Sequence, residues 1–156
     1  MKDKIILRKN IEKKIKSLKH EKKKIVFTNG CFDILHPGHV EYLRKAKSFG
    51  DLLIVGVNSD QSIGKLKGSN RPINNWKSRT KVLEGLESVD YIVNLSENDP
   101  IKLIEKIKPD IHVKGGDYEA KSLLEHKTVL ENGGKVKIVK FVKGYSTTTI
   151  IDRIKN

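Results

Sequence analysis

The chain is predicted to be an α/β protein, a doubly wound parallel sheet of five strands with helices on both faces. Two observations predict it. Short apolar runs alternate with amphipathic segments along all 156 residues, and glycine or proline punctuates most boundaries between them. The length is that of one compact domain, so residues 1–156 are expected to form a single unit.

The elements follow in order. Ile11, Ile15 and Leu18 stand four and three apart, which predicts a leading amphipathic helix within residues 1–22. Lys22-Lys23-Lys24 leads into a first strand over 25–28, and after a turn around 29–37 the pattern Val40, Leu43, Ala46 predicts a helix over 38–49. A second strand is expected over 52–57, then a polar loop over 64–75, then a helix carrying Val82, Leu83 and Leu86. The third strand is placed at 91–94, a short helix at 100–107, and the fourth strand at 111–114. A helix over about 121–131 stops at Gly133-Gly134, a fifth strand covers 136–141, and a last helix runs over 147–154. With right-handed crossovers, the expected strand order is 3-2-1-4-5.

Composition narrows the function less than the pattern does. A formal net charge of +13 favours anionic partners in general, but much of it lies in the lysines of residues 2–24, which read as a solvated helix face. Cys31 is the single cysteine, which excludes an internal disulfide and suits a reducing cytoplasm. The Lys-rich start lacks the apolar segment of a signal peptide, and no apolar run approaches a membrane span. A cytoplasmic protein without membrane partners is expected.

In such sheets ligands bind beyond the carboxyl ends of the strands, where strand order reverses. Here that crevice lies between the first and fourth strands, bordered by residues 28–39 and 114–118 and by the turn after the fifth strand. The unusual residues cluster in those segments. Thr28-Asn29-Gly30-Cys31-Phe32-Asp33 ends a strand, and His36-Pro37-Gly38-His39 starts a helix, whose free N–H groups and positive dipole end suit a phosphate. His36 and His39, three apart, can face one anion, with Pro37 fixing the backbone and Gly38 allowing close approach. Lys114-Gly115-Gly116-Asp117-Tyr118 faces them, and Ser146-Thr147-Thr148 opens the last helix with hydroxyls and N–H groups. His20, His112 and His126 have no metal-ligand spacing and read as structural or surface residues.

The His36-to-His39 segment resembles the signature of the cytidylyltransferase-like nucleotidyltransferases, whose core is a Rossmann-like sheet. The resemblance extends through Val57-Asn58-Ser59-Asp60, Lys65-Leu66-Lys67-Gly68, Arg71-Pro72-Ile73-Asn74, Arg79, the Lys114-to-Tyr118 run and Gly144-Tyr145-Ser146-Thr147-Thr148. Across these motifs it looks most like the adenylyltransferases of ADP-heptose synthesis. That resemblance implies transfer of AMP from ATP to a sugar 1-phosphate such as D-glycero-β-D-manno-heptose 1-phosphate, with release of pyrophosphate and with Mg2+ carried on the triphosphate rather than by protein ligands. It also implies a homodimer or higher homo-oligomer, a separate upstream sugar kinase and phosphatase, and no nucleic-acid partner.

By the same resemblance His36, His39 and Lys67 act in catalysis. Thr28, Asn29, Gly30, Cys31 and Phe32, with Arg71, Arg79, Lys114, Gly115, Ser146, Thr147 and Thr148, hold the nucleotide. Asp33, Asn58, Asp60, Gly116, Asp117 and Tyr118 fall to the sugar substrate. Several of these have plainer readings: Asp33 as a turn-stabilising residue, Cys31 as packing, Asp60 or Ser146 as a helix cap, Asp117 as a turn cap. The chemistry is consistent. A sugar phosphate, with its second pKa at about 6, is already an ionised nucleophile and needs positioning and charge stabilisation rather than a general base. Two departures stand out: Pro37 where a small residue is usual, and Trp76-Lys77-Ser78 before Arg79, which opens the question of base preference.

Two other readings remain open at this level. One is a CTP-dependent cytidylyltransferase acting on glycerol phosphate or a related alcohol phosphate. The other is a basic nucleic-acid-binding module, against which stands the scarcity of aromatic residues, 6% of the chain, for base stacking.

Overall fold

A computed structural model describes residues 3–156. Six strands form one fully parallel sheet: β1 (Ile5–Ile6), β2 (Ile25–Gly30), β3 (Leu52–Asn58), β4 (Tyr91–Leu95), β5 (Ile111–Gly115) and β6 (Lys135–Val139), in the order β1-β4-β3-β2-β5-β6. The helices are α1 (Ile11–His20), α2 (Pro37–Lys47), α3 (Asp60–Lys67), α4 (Trp76–Glu84), α5 (Ile101–Ile107), α6 (His126–Glu131) and α7 (Thr147–Lys155).

The five expected strands thus stand in the expected relative order, but the sheet has six strands rather than five. The additional strand is Ile5–Ile6, which pairs with Ile92 and Val93 at the sheet edge. Two residues are too few to produce a period-2 signal, so the leading segment reads as helix throughout, whereas the helix proper begins at Ile11 after a 3-10 turn at Arg8–Asn10. Three further boundaries differ. The expected loop over 64–75 is shorter, because α3 continues to Lys67 and is stopped by Gly68 at φ 98°. The expected helix over 121–131 is a 3-10 turn and the short α6, separated by an extended Leu123. The last strand leaves the sheet at Val139, and Phe141 folds over Gly115 instead of continuing the ladder.

Each face of the sheet carries its own core. Phe27, Ile54 and Val93 pack against Ile11, Ile15 and Leu18 of α1 and Leu103, Ile104 and Ile107 of α5. Val26, Val55, Ile92 and Val113 pack on the other side against Leu43 and Ala46 of α2 and Leu83 of α4. The central strands are buried on both faces, which is why they read as continuous apolar runs. His112 lies in the first core, stacked on Phe27 and hydrogen-bonded to Glu125 at 3.0 Å, a structural residue. Among the described residues no helix is long and apolar enough to cross a membrane.

Candidate active site

α2 follows β2 across the turn at residues 31–36, and its first turn explains the His-Pro-Gly-His spacing. Pro37 occupies the first helical position, where its missing N–H costs no hydrogen bond. The backbone N–H of His36 donates to Nδ1 of His39 at 3.3 Å. The two rings stack with centroids 3.8 Å apart and planes 26° apart, and Tyr145 lies nearly parallel to the outer face of His36 at 6.2 Å. Glycine is required between them: a Cβ on Gly38 would meet the His36 ring at 2.9 Å and Tyr145 at 3.2 Å.

Both imidazoles face a cavity of about 540 Å³ at the carboxyl ends of β2 and β5. One end is built of donors and cations. Asn29 to Asp33, His36 and His39 line it, together with Lys67, Arg71 and the Ser146–Thr148 start of α7. Ser146 caps that helix by accepting from the N–H of Thr149 at 3.0 Å, so the hydroxyl acts as a cap and the helix start still borders the cavity. The other end is largely aromatic, with Tyr42, Tyr118, Phe141 and Val142 around Gly115, and Lys114 beside them. A Cβ at Gly115 would fall 2.6 Å from Phe141 and 3.0 Å from Tyr42, so the glycine lets the two rings close on the strand end.

Several expected site residues stand behind the wall rather than on it. Thr28 is fully buried, and its hydroxyl donates to the Val113 carbonyl at 2.9 Å and meets the Tyr42 hydroxyl at 2.7 Å, so it braces the cavity floor. Arg79 differs most from expectation. Its side chain is 0% exposed and donates to the carbonyls of Asn74 (2.9 Å), Cys31 (2.6 Å) and Asn58 (2.8 Å) and to the Asp60 carboxylate (2.7 Å). Its guanidinium makes four hydrogen bonds within the protein, and Arg79 is not among the residues that line the cavity. Asn58 and Asp60 do not line the cavity either: Asn58 is buried and donates to Ser62, and the partly exposed Asp60 pairs with Arg79. Ser59, not Asp60, caps α3. Asp33 borders the cavity, but its carboxylate accepts from the N–H groups of Ile73 (2.6 Å) and Asn74 (3.0 Å). Gly116 is buried at φ 131° and donates to Val139, while exposed Asp117 lies outside the lining and Tyr118 within it. Tyr42 and Phe141 are additions. Tyr42 follows His39 by three, one helical turn along the same face, a spacing that could have flagged it.

A cytidylyltransferase-like family model matches residues 27–153. The chain belongs to the cytidylyltransferase-like family. This cytidylyltransferase-like chain is 50% identical over 145 residues to the bifunctional protein HldE of Marinomonas sp. (strain MWYL1), covering 93% of this chain and 30% of that protein. It is 55% identical over 132 residues to HldE of Haemophilus influenzae, covering 85% of this chain and 28% of the relative. The chain therefore spans about three-tenths of the length of the curated relatives it matches. A solved structure, the lipopolysaccharide core biosynthesis protein of Thermoplasma volcanium, superposes with a TM-score of 0.64 at 34% identity, covering 80% of this chain and 99% of that one. A pantoate–β-alanine ligase from Francisella tularensis, at 19% identity and a TM-score of 0.58, shares the fold.

The electrostatics of this cytidylyltransferase-like site set the protonation of its histidines. Burial pushes the His39 pKa down to about 4, reinforced by His36 and Lys67 and opposed by Asp33; burial lowers that of His36 as well. Because Nδ1 of His39 accepts from the backbone, the proton of the neutral ring resides on Nε2. His39 is then a neutral donor across the physiological range. The unfolded chain, with His39 near its ordinary value of 6.5, binds more protons between pH 6.5 and 4. The stability held above pH 6.5 is therefore lost as pH falls through that window. Denaturant unfolding of the free protein at pH 7 and pH 5 should show this loss, and His39→Gln should reduce it.

Proposed function

We propose that the chain is a nucleotidyltransferase that moves AMP from ATP to a sugar 1-phosphate, of the D-glycero-β-D-manno-heptose 1-phosphate type, and releases pyrophosphate. The observation that carries this reading is the stacked His36–His39 pair facing Lys67, Arg71 and the start of α7 across one cavity, whose other end is aromatic. Such a cavity suits a molecule with a chain of phosphates at one end and a flat base at the other. The resemblance of Lys114 to Tyr118 and of the Gly144 run to the ADP-heptose adenylyltransferases supports the choice of ATP and of a heptose phosphate.

In this mechanism the acceptor phosphate attacks the α-phosphorus in line, and the bond to the departing pyrophosphate breaks. No proton has to be removed from the nucleophile, so the chain contributes placement and charge stabilisation. The Nε2–H of His39 and the ring of His36 donate to the oxygens of the transferring phosphoryl group. Lys67 and Arg71 neutralise the β- and γ-phosphates, and the N–H groups from Asn29 to Phe32 and at the start of α7 complete the cradle. Among the described residues no three of His, Cys, Asp and Glu come together as metal ligands, and Asp33 is engaged with main-chain donors. A magnesium ion bound with the triphosphate would supply further charge neutralisation beside Lys67 and Arg71. The Phe141, Tyr118 and Tyr42 rings suit a stacked base.

Pyrophosphate release tests the proposal, with ATP or CTP offered against heptose 1-phosphate and glycerol 3-phosphate. Turnover is expected with ATP and heptose 1-phosphate. Turnover confined to CTP and glycerol 3-phosphate would assign the alcohol-phosphate branch. No transfer in any pairing, with salt-sensitive RNA or DNA binding instead, would assign the chain to nucleic-acid binding.

A further inference from the structure

Among the described residues Asp33 is the one carboxylate on the wall of a cavity whose other charged lining groups, Lys67, Arg71 and Lys114, are cations. An acid there opposes an anionic ligand unless it is engaged elsewhere. The chain turns it inward by an unusual backbone: both neighbours, Phe32 at φ 51° and Ile34 at φ 48°, adopt the left-handed conformation. Non-glycine residues occupy that region only where their surroundings hold them, and such outliers gather at functional sites. The side chain of Asp33 is 1% exposed, and its two oxygens take the N–H groups of Ile73 and Asn74, at 2.6 and 3.0 Å. Its main-chain carbonyl accepts the Thr147 hydroxyl at 2.8 Å. One residue thus ties the β2–α2 turn, the segment after α3 and the start of α7 together.

Arg71 lies two residues before the first of those bonds. Its Nε is buried without a hydrogen-bond partner and is 3.7 Å from Asp33 Oδ2, close enough for attraction and too far for a bond. The Nε edge is thereby held against Asp33 at the cavity wall, and the terminal nitrogens, which hold no hydrogen bond among the described residues, are the donors left over.

We propose that Asp33 is a positioning residue: it anchors the segment from Arg71 to Asn74 and, as a loose counter-ion, sets Arg71 where it meets the phosphate chain of the nucleotide. This rests on the nucleotidyltransferase reading and replaces a direct role for Asp33 with the sugar. An anchored arginine with a spare donor can strengthen its hold on a phosphate when one arrives, without a rearrangement of the segment that carries it. An isosteric amide at position 33 offers only one acceptor to two N–H donors and no charge to Arg71, so it should release the segment.

A double-mutant cycle reads the coupling. Asp33→Asn is expected to weaken binding of ATP with Mg2+ about tenfold and to raise the KM for ATP in parallel, with kcat within about threefold of the unaltered chain. In an Arg71→Ala background the same substitution should change either quantity less than twofold. A purely structural role would give equal losses in both backgrounds and would overturn the proposal, as would an unchanged KM in Asp33→Asn. If Asp33→Asn does not fold, amide hydrogen exchange of the unaltered protein decides. The amides of Ile73 and Asn74 should be protected well beyond those of Ser69 and Asn70, and equal exchange would overturn the anchor. A chain that binds neither ATP nor CTP removes the proposed function and this inference together. One that binds nucleotide with additive losses removes the inference alone.

Discussion

Replacing His39 by alanine should lower the rate of pyrophosphate release by about 10²–10³-fold while the protein remains folded. The ring supplies an Nε2–H donor fixed in direction by the hydrogen bond that Nδ1 accepts from the His36 backbone. It also forms one side of the stack that orients His36. Truncation removes the first donor and frees the second, so the loss should lie toward the upper end of what a single missing transition-state donor costs. The structural cost is small by comparison. His39 is partly exposed, its packing partner Phe32 stays in the core, and the lost contact to the His36 amide amounts to about 1 kcal/mol of helix capping. Initial rates at saturating nucleotide, together with thermal unfolding, separate the two effects. Glutamine at the same position retains an N–H donor and should fall between alanine and the native residue. If alanine at position 39 kept turnover within tenfold of the native rate, the imidazole pair would not be part of the chemistry.

Most of what the site uses is visible in sequence because strand ends and helix starts carry it. His36 and His39 are one helical turn apart, and any helix beginning at Pro37 must place them side by side, so no tertiary information is needed to pair them. The meeting of residues 28–39 with 114–118 follows from the order of the central strands, which chain connectivity largely dictates. The strand at Ile5–Ile6 was not legible, since two β-branched residues carry no periodicity and become a strand only because β4 offers an open edge. The charged residues are the instructive failure. A sequence shows Asp33, Asp60, Arg71 and Arg79 as four ionisable groups near a phosphate site, and each is an equally plausible ligand contact. Which of them turns toward the cavity depends on main-chain carbonyls and N–H groups left unpaired by irregular segments, and those appear only in three dimensions. Phe141 was missed for a related reason: it lies past the end of a strand and reaches the cavity because the chain bends back over Gly115.

Those orphaned main-chain groups make Arg79→Met the change with the largest expected effect on stability. The native guanidinium satisfies carbonyls from three separate segments, at Cys31, Asn58 and Asn74, and anchors Asp60 besides. Methionine fills much of the volume and keeps the apolar contacts of the stem, so the loss reports the hydrogen bonds rather than a cavity. Each buried acceptor left without a partner costs about 1–3 kcal/mol, moderated here by water reaching Asp60, which is 46% exposed. A total of about 3–5 kcal/mol follows, or about 6–20 °C in thermal midpoint for a chain of this size. Asp60→Asn keeps an acceptor at the exposed end of the pair but removes the counter-charge of a buried guanidinium, and should cost about 1–2 kcal/mol, less than Arg79→Met. The contrast between the two is the diagnostic. Equal, small losses would mean that Arg79 is held chiefly by its ion pair and is free to turn toward a bound nucleotide, whereas a large loss confined to Arg79→Met identifies it as the brace behind the cavity wall. Activity provides the second reading: a brace should degrade kcat and the KM for both substrates together, since the Cys31 turn and the Asn74 segment would both lose their support.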